Sequence, residues 1–463
     1  MVFAGLTFLY LFLPTVLFLY FIAPKALKNY VLLFSSLIFY YIGEQRLLLL
    51  MLISITINYA LGLLVGNCHR VIFKKTLLVV TVVINLAILG YYKYADFFIS
   101  SIYSAFGLSV SLLNIALPIG ISFYTFQALS YVVDVYRGEA VAAKNPCTVA
   151  LYISFFPQLI AGPIVRYSDI EKQLHDRKTS IEDFAYGVKR FCIGLGKKVL
   201  LANSLAELVK TATYSNEKTV VLYWLSAIAF TFQIYFDFSG YSDMAIGLCR
   251  MFGFRIDENF NYPYISSSVT EFWRRWHISL GTWFRDYVYI PLGGNRVCII
   301  RWLINIAIVW FLTGLWHGAN WNFILWGVMF GFLLVIEKLL LKKVKVKLPR
   351  GIGIVYTLSF VLIGFVIFSA NNISDVGKNL RAMFGLANLP LCGTETLYLL
   401  RNYAITFLVA MIGATPLFAH IADKLKNKSF MMIVEPLYAC LLLLLSTAYL
   451  VDGSFNPFLY FRF

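Results

Sequence analysis

Long apolar runs fill most of the chain and are separated by short polar stretches. About 20 mostly apolar residues make one helical crossing of a bilayer. On that measure the pattern predicts spans near 6–23, 30–42, 47–66, 76–95, 112–133, 187–210, 219–247, 301–316, 321–341, 351–370, 399–421 and 430–451. Segment 30–42 is short, and 187–210 is interrupted by Lys197 and Lys198. The apolar region 147–163 contains Pro157, Gly162 and Pro163, so it predicts a broken or re-entrant piece. Irregular backbone of that kind survives at membrane depth only when packed inside protein. The expected fold class is therefore all-α, a polytopic membrane protein of about 11–12 transmembrane helices with re-entrant helices. Residues 1–463 are expected to form a single integral membrane domain. The run Leu6 to Ala23 leads to Lys25 and Lys28 and not to a small-residue cleavage site, so it reads as a first span and not a signal peptide.

Composition agrees. Apolar types make up 60% of the residues and charged types 13%, against roughly 45–50% and about 25% in soluble domains. This excludes a soluble, disordered or disulfide-stapled class. The seven cysteines, Cys68, Cys147, Cys192, Cys249, Cys298, Cys392 and Cys440, are scattered without metal or redox spacing. They read as small apolar fillers. No metal site and no nucleic-acid partner are expected.

The net charge of +16 reports topology first. If the amino terminus lies outside, 31 of the 39 Lys and Arg residues are counted to the inner side and 8 to the outer. Cytoplasmic loops carry such an excess. A count of 12 spans puts both termini outside. No two-halves repeat of the transporter kind is visible.

Polar groups inside an apolar chain are costly, so they mark candidate chemistry. In the run Tyr235 to Met244, Asp237 and Asp243 sit at the inner end of a span. At 100° per residue they stand about 240° apart and do not form one carboxylate pair. They read either as structural anchors in ion pairs or as groups that orient a histidine or hold an arginine. Between Ser266 and Arg296, Ser268-Val269-Thr270-Glu271 fits a capping box. Trp273, Trp276, His277, Leu280, Trp283, Phe284 and Tyr287 then recur at steps of three and four. Those steps predict an amphipathic helix ended by Pro291-Leu292-Gly293-Gly294, with Arg274, Arg275 and Arg285 off the centre of its apolar stripe. His277 lies on that stripe and reads as a satisfied core residue or as a site residue. Third, Leu312 to Trp321 places His317 where two apolar spans join, beside Gly314, Gly318 and Ala319. Small residues there allow a backbone or a ligand to approach closely. His317 is either a functional imidazole or one hydrogen-bonded between helices. His69, His175 and His420 lie in or beside polar loops and read as incidental.

Several familiar sites are absent. There is no Gly-x-Ser-x-Gly elbow and no His-Glu-x-x-His motif. Gly194-Leu195-Gly196-Lys197 fails as a phosphate loop, because position 191 is Phe and Lys197 precedes Lys198. No histidine is followed five residues later by aspartate.

Together with these three stretches, Ser122-Phe123-Tyr124-Thr125-Phe126-Gln127, the run Phe155 to Ile164 and Phe455-Asn456-Pro457-Phe458 resemble the membrane-bound O-acyltransferase (MBOAT) family. The resemblance is to its bacterial branch of alginate and peptidoglycan O-acetylation membrane subunits and, further off, a teichoic-acid D-alanylation protein. It covers most of the chain and is weakest over 371–400. It implies a ring of helices around a central tunnel, with the acyl donor entering from the cytoplasm and the acceptor working from outside. It also implies a bacterial cell membrane. The family's catalytic histidine corresponds to His317, in Leu-Trp-His-Gly, and its second histidine to His277, in Arg-Arg-Trp-His.

The activity so implied is O-acetylation of an extracytoplasmic polysaccharide such as alginate, peptidoglycan or cellulose. Acetyl-CoA is the expected donor substrate, with no permanently bound cofactor. A hydroxyl attacks a thioester only after a base takes its proton, and neutral imidazole suits that task near pH 7. His317 is the expected general base. His277 is expected to position the donor or help stabilise the oxyanion. Asn320 is a candidate amide donor if the helix runs on past His317. Asp237 or Asp243 is a candidate to orient an imidazole, and Trp316, Arg274 and Arg275 are candidate supporting residues. The resemblance further implies membrane lipid as surroundings and an extracytoplasmic SGNH-hydrolase-like partner that completes transfer. D-alanyl or lipid/protein O-acyl transfer, and a polysaccharide transporter or channel, remain alternatives.

Overall fold

The computed structural model describes residues 3–108, 110–344, 349–453, 458 and 459, with backbone only for 341–344. Lys345, Lys347, Arg462 and the Phe455-Asn456-Pro457 part of the closing motif lie outside the described residues. All regular structure among the described residues is helical. Among the described residues, seven helices are long and apolar enough to cross a membrane: Leu48–Asn67, Val71–Ala105, Val220–Met251, Ile299–His317, Trp321–Leu340, Arg350–Ser369 and Met431–Asp452. An eighth crossing is counted if Thr394–Asn402 and Ala404–Gly413, bent by 51°, make one span. The chain is a multi-pass membrane protein.

Of the remaining expected spans, 187–210 is helical throughout, within Ile181–Gly196, Lys197–Ala202 and Asn203–Tyr214, and the others are helices shorter than a span. Phe8–Ile22 is an apolar helix below span length, and Lys28–Gly43 has 16 residues. The segment expected from 112 begins its helix only at Ile121. Pro118 lacks an N–H, and Gly120 caps the helix at φ 75°. A Cβ on Gly120 would stand 2.7 Å from the Leu159 carbonyl oxygen, so this turn requires glycine. The 147–163 region is broken as expected, into Pro146–Ser154 and Phe156–Leu159.

The described chain forms two compact units, residues 1–191 with 241–257, and residues 192–240 with 258–463. In the first unit, Leu48–Asn67 and Val71–Leu89 pack together and against Ile121–Arg137. Asn58 and Asn85 exchange amide hydrogen bonds of 3.1 and 2.8 Å between the first two, a polar tie suited to an apolar setting. Segment 241–257 is fastened within this unit by ion pairs from Arg250 and Arg255 to Asp183, at 2.8 and 3.0 Å.

In the second unit, Ile299–His317 and Trp321–Val344 form a tight hairpin. Gly314 and Gly327 let the two backbones meet, since a Cβ on either would strike the opposite chain's carbonyl oxygen, at Phe323 and Trp310. Buried Trp326 and Phe330 of this hairpin join Phe272, Trp276, Phe365 and Phe368 in an aromatic core. Met431–Asp452 shows the reverse pattern. Leu437, Leu441 and Leu444 are each more than half exposed, which suits a face turned to hydrocarbon and not to water.

Candidate functional site

His317 is the last residue of its helix, and Gly318 leaves in extended backbone (φ −170°, ψ 153°). A Cβ on Gly318 would collide with the Phe323 ring, so the chain turns immediately into the next helix. The buried imidazole meets Trp316, Trp326 and Phe368 at centroid distances of 5.0, 5.0 and 5.3 Å, each steeply inclined. Asn322 steadies Phe368 from outside this cluster. Its buried amide donates to the carbonyls of Ile367, Phe368 and Ala370, at 3.3, 3.3 and 2.8 Å. Those carbonyls lie at and just beyond the end of a helix, where intrahelical donors run out.

The single amphipathic helix expected from 269 onward does not form. Val269–Arg275 and Ile278–Phe284 are separate helices. Trp276 is extended between them, and His277 is left-handed at φ 46° and ψ 54°. A histidine there carries about 1–3 kcal/mol of strain unless its surroundings fix it. Asn259 does so. Its backbone carbonyl accepts from Ile278 N at 3.0 Å. Its Oδ1 contacts His277 Nδ1 at 3.2 Å and accepts from Ser279 N and Oγ at 3.1 and 2.9 Å. Phe238 closes on the ring at 4.6 Å. Burial, by withholding water from the charged form, pushes the His277 pKa down to about 3.

The start of Val269–Arg275 is equally defined. Ser268 Oγ accepts from Glu271 N at 3.0 Å, as a capping box requires. The Glu271 carboxylate, however, accepts from Ser267, one residue earlier than the box predicts. Glu337, buried on the Trp321–Val344 helix, accepts from Val269 N, Thr270 N and Thr270 Oγ1 at 2.6, 2.8 and 2.6 Å.

His277 lines an open cavity of about 710 Å³, together with Arg274, Arg285, Lys338, Trp302 and Trp310. Arg285 also pairs with Asp286 at 2.7 Å, and Lys338 lies over the Trp302 ring at 4.2 Å. Three cations on a wall that also carries Trp273, Trp276, Trp302 and Trp310 suit a ligand with an anionic end and an apolar body. Trp316 packs on both imidazoles, 5.9 Å from His277 and 5.0 Å from His317.

Other expected site residues are placed differently. Arg274 reaches the cavity, whereas Arg275 binds Glu271 at 2.9 Å and the Asn261 carbonyl at 3.1 Å, clamping the loop that carries Asn259. Asn320 is not one turn beyond His317, because the helix stops there, and its amide donates to the Asn371 carbonyl at 2.7 Å. Asp237 binds Lys198 at 2.6 Å and accepts from Leu459 N at 2.7 Å. Asp243, in the first unit, binds Arg190 at 2.6 Å. Both aspartates thus hold cations, and the group that orients His277 is Asn259. The sequence reading missed Asn259, Asn322 and Glu337. Only Glu337 gave a signal, as an acid within an apolar run.

The model of the membrane-bound O-acyltransferase family matches residues 47–374. The "Probable alginate O-acetylase AlgI" of Azotobacter vinelandii is 43% identical over 417 residues, covering 89% of this chain and 84% of that protein. The "Peptidoglycan O-acetyltransferase" of Helicobacter pylori is 32% identical over 98% of this chain and 96% of its own. The "Teichoic acid D-alanyltransferase" of Bacillus subtilis is 30% identical over 55% and 69%. With most of the chain matched in this way, and with its two motif histidines buried around a shared tryptophan, the protein belongs to the membrane-bound O-acyltransferase family.

Proposed function

We propose that this enzyme takes an acetyl group from acetyl-CoA at the cytoplasmic face of a bacterial cell membrane and passes it outward for O-acetylation of a polysaccharide. Likeness over nearly the whole chain to proteins named for alginate and peptidoglycan O-acetylation carries this reading. The cavity supports the choice of donor. Arg274, Arg285 and Lys338 suit phosphates, and the tryptophans suit the less polar arm of a thioester. An extracytoplasmic SGNH-hydrolase-like partner belongs to the same reading.

The chemistry asks little of the chain beyond bases and order. The acceptor hydroxyl oxygen attacks the thioester carbonyl carbon while an imidazole takes its proton. The tetrahedral intermediate then collapses, the C–S bond breaks, and the imidazolium returns the proton to the departing sulfur. His317 is assigned as this base. Its place at a helix C-terminus, where carbonyl dipoles favour positive charge, suits an imidazole that becomes cationic during turnover. General base catalysis contributes roughly 10²–10⁴-fold.

The test uses the purified chain in liposomes with labelled acetyl-CoA and a soluble hydroxyl acceptor. His317→Gln, which keeps much of the ring's volume, is expected to lower transfer by roughly 10²-fold or more with no change in melting temperature. Transfer within threefold of wild type removes His317 from the role. Transfer from a D-alanyl carrier thioester, but not from acetyl-CoA, replaces the donor reading with the one named for the Bacillus subtilis relative.

A further inference from the structure

The contacts of Asn259 determine which nitrogen of His277 carries the proton. A buried amide can turn its oxygen or its NH₂ group toward a given neighbour, and its partners decide which. Here one partner is unambiguous, because Ser279 N is a backbone donor and the atom facing it at 3.1 Å must be an acceptor. A reversed amide would set N–H against N–H. The atom is therefore Oδ1, which has no hydrogen to give. His277 Nδ1, 3.2 Å from the same oxygen, must then be the donor. In neutral imidazole one nitrogen donates and the other accepts, so the lone pair falls to Nε2.

We infer that Asn259 is a positioning residue that holds neutral His277 in its Nδ1–H tautomer, so that Nε2 meets bound substrate as a hydrogen-bond acceptor and not as an oxyanion donor. This revises the oxyanion role expected of His277. The chemical group opposite Nε2 is an N–H or O–H: an amide of the donor's arm, or the acceptor hydroxyl itself. The same residue explains the backbone. Asn259 bonds residues 277, 278 and 279 in succession, which is what holds His277 at positive φ. Arg275 and Asn261 brace the loop from the other side, through Asn261 N to Arg275 O at 2.9 Å and Arg275 to Asn261 O at 3.1 Å. Phe238 and Trp316 pack on the ring, and Arg274, Arg285 and Lys338 line the same cavity as His277.

The test reads the tautomer directly. The chain has five histidines, few enough for ¹⁵N-histidine spectra of the full protein in liposomes, with His277 identified by its loss in His277→Gln. Wild type is expected to show Nδ1 protonated and Nε2 bare. Asn259→Leu is expected to mix the tautomers and to lower kcat by roughly 10²-fold, with KM for the donor within about threefold. Asn259→Asp keeps the acceptor, so it is expected to keep the tautomer and restore most of kcat. Its new charge also moves the acid limb of the pH profile upward. A protonated Nε2 in wild type overturns the inference, as does a wild-type spectrum in Asn259→Leu. The kinetic arm rests on the acetyl-transfer reading, but the spectrum needs no donor. An acetyl-CoA reading that fails therefore leaves the tautomer result standing, and the reverse also holds.

Discussion

Replacing Glu337 with glutamine removes one negative charge and half of the acceptors at the start of the Val269–Arg275 helix. The buried carboxylate holds Val269 N, Thr270 N and Thr270 Oγ1 at 2.6, 2.8 and 2.6 Å, the first bond buried and the two to Thr270 half-buried. Glutamine keeps one oxygen, which can still serve Val269 N. Its NH₂ group then faces Thr270 N–H, donor against donor. Leaving this half-buried donor unsatisfied costs about 1–2 kcal/mol, the lower part of the range for a buried group. Losing the charge at a helix N-terminus adds about 0.3–1 kcal/mol. The Thr270 hydroxyl can turn away, so its share is small. The expected loss is about 2 kcal/mol. Thr270→Val, which removes only the hydroxyl bond, is expected to cost about 1 kcal/mol. Melting of detergent-purified protein should rank the two in that order. Activity should follow, because this helix delivers Arg274 to the cavity and leads straight into His277. Glu337→Gln is therefore expected to raise KM for the acyl donor as well as lower kcat. Equal melting temperatures for wild type and Glu337→Gln refute the reasoning, and so does a Thr270→Val loss as large as that of Glu337→Gln.

Two further outcomes follow from the same region. Arg274→Ala should raise KM for acetyl-CoA roughly tenfold, the value of one charge-assisted contact, and leave KM for a short acetyl thioester without phosphates unchanged; an equal effect on both donors refutes an anion-binding role. The buried His277 has a folded pKa near 3, below the roughly 6.5 of an unfolded histidine. Between those values the unfolded chain binds the extra proton, so His277 favours the fold fully above about pH 6.5 and loses that contribution as pH falls. The slope reaches about 1.4 kcal/mol per pH unit for one proton. Melting between pH 7.5 and 5 should therefore fall more steeply for wild type than for His277→Gln, and parallel curves overturn this.

Hydropathy made the long helices legible because one simple requirement, apolar surface toward hydrocarbon, governs about 20 consecutive positions at once. It blurred where a local backbone constraint took over. Pro118 and Gly120 delay the helix at Ile121, although the apolar run begins earlier. Lys197 and Lys198 looked like an interruption, yet the backbone stays helical through a wider turn at Lys197–Ala202, and Lys198 is buried against Asp237. A charge within an apolar run thus marked a pairing partner about 40 residues away and not a break. Sequence alone could not pair the aspartates, because each partner comes from another helix.

The break at His277 shows why motif residues were easier to read than their arrangement. Apolar positions three and four apart fit one long helix, but they fit two short helices set end to end just as well. What separates the two cases is the φ of a single residue. Nothing in Arg-Arg-Trp-His marks that residue as left-handed, since positive φ is uncommon for any residue but glycine. The deciding information lies 18 positions earlier, in Asn259, whose carbonyl and side chain together bond three consecutive residues of the turn. The turn in turn keeps the imidazole on the cavity wall and against Trp316, which also packs on His317. A regular helix through 277 would aim that side chain by helical geometry alone. The strained turn lets a neutral asparagine aim it instead, and so fixes both the direction of the ring and the nitrogen that carries its lone pair.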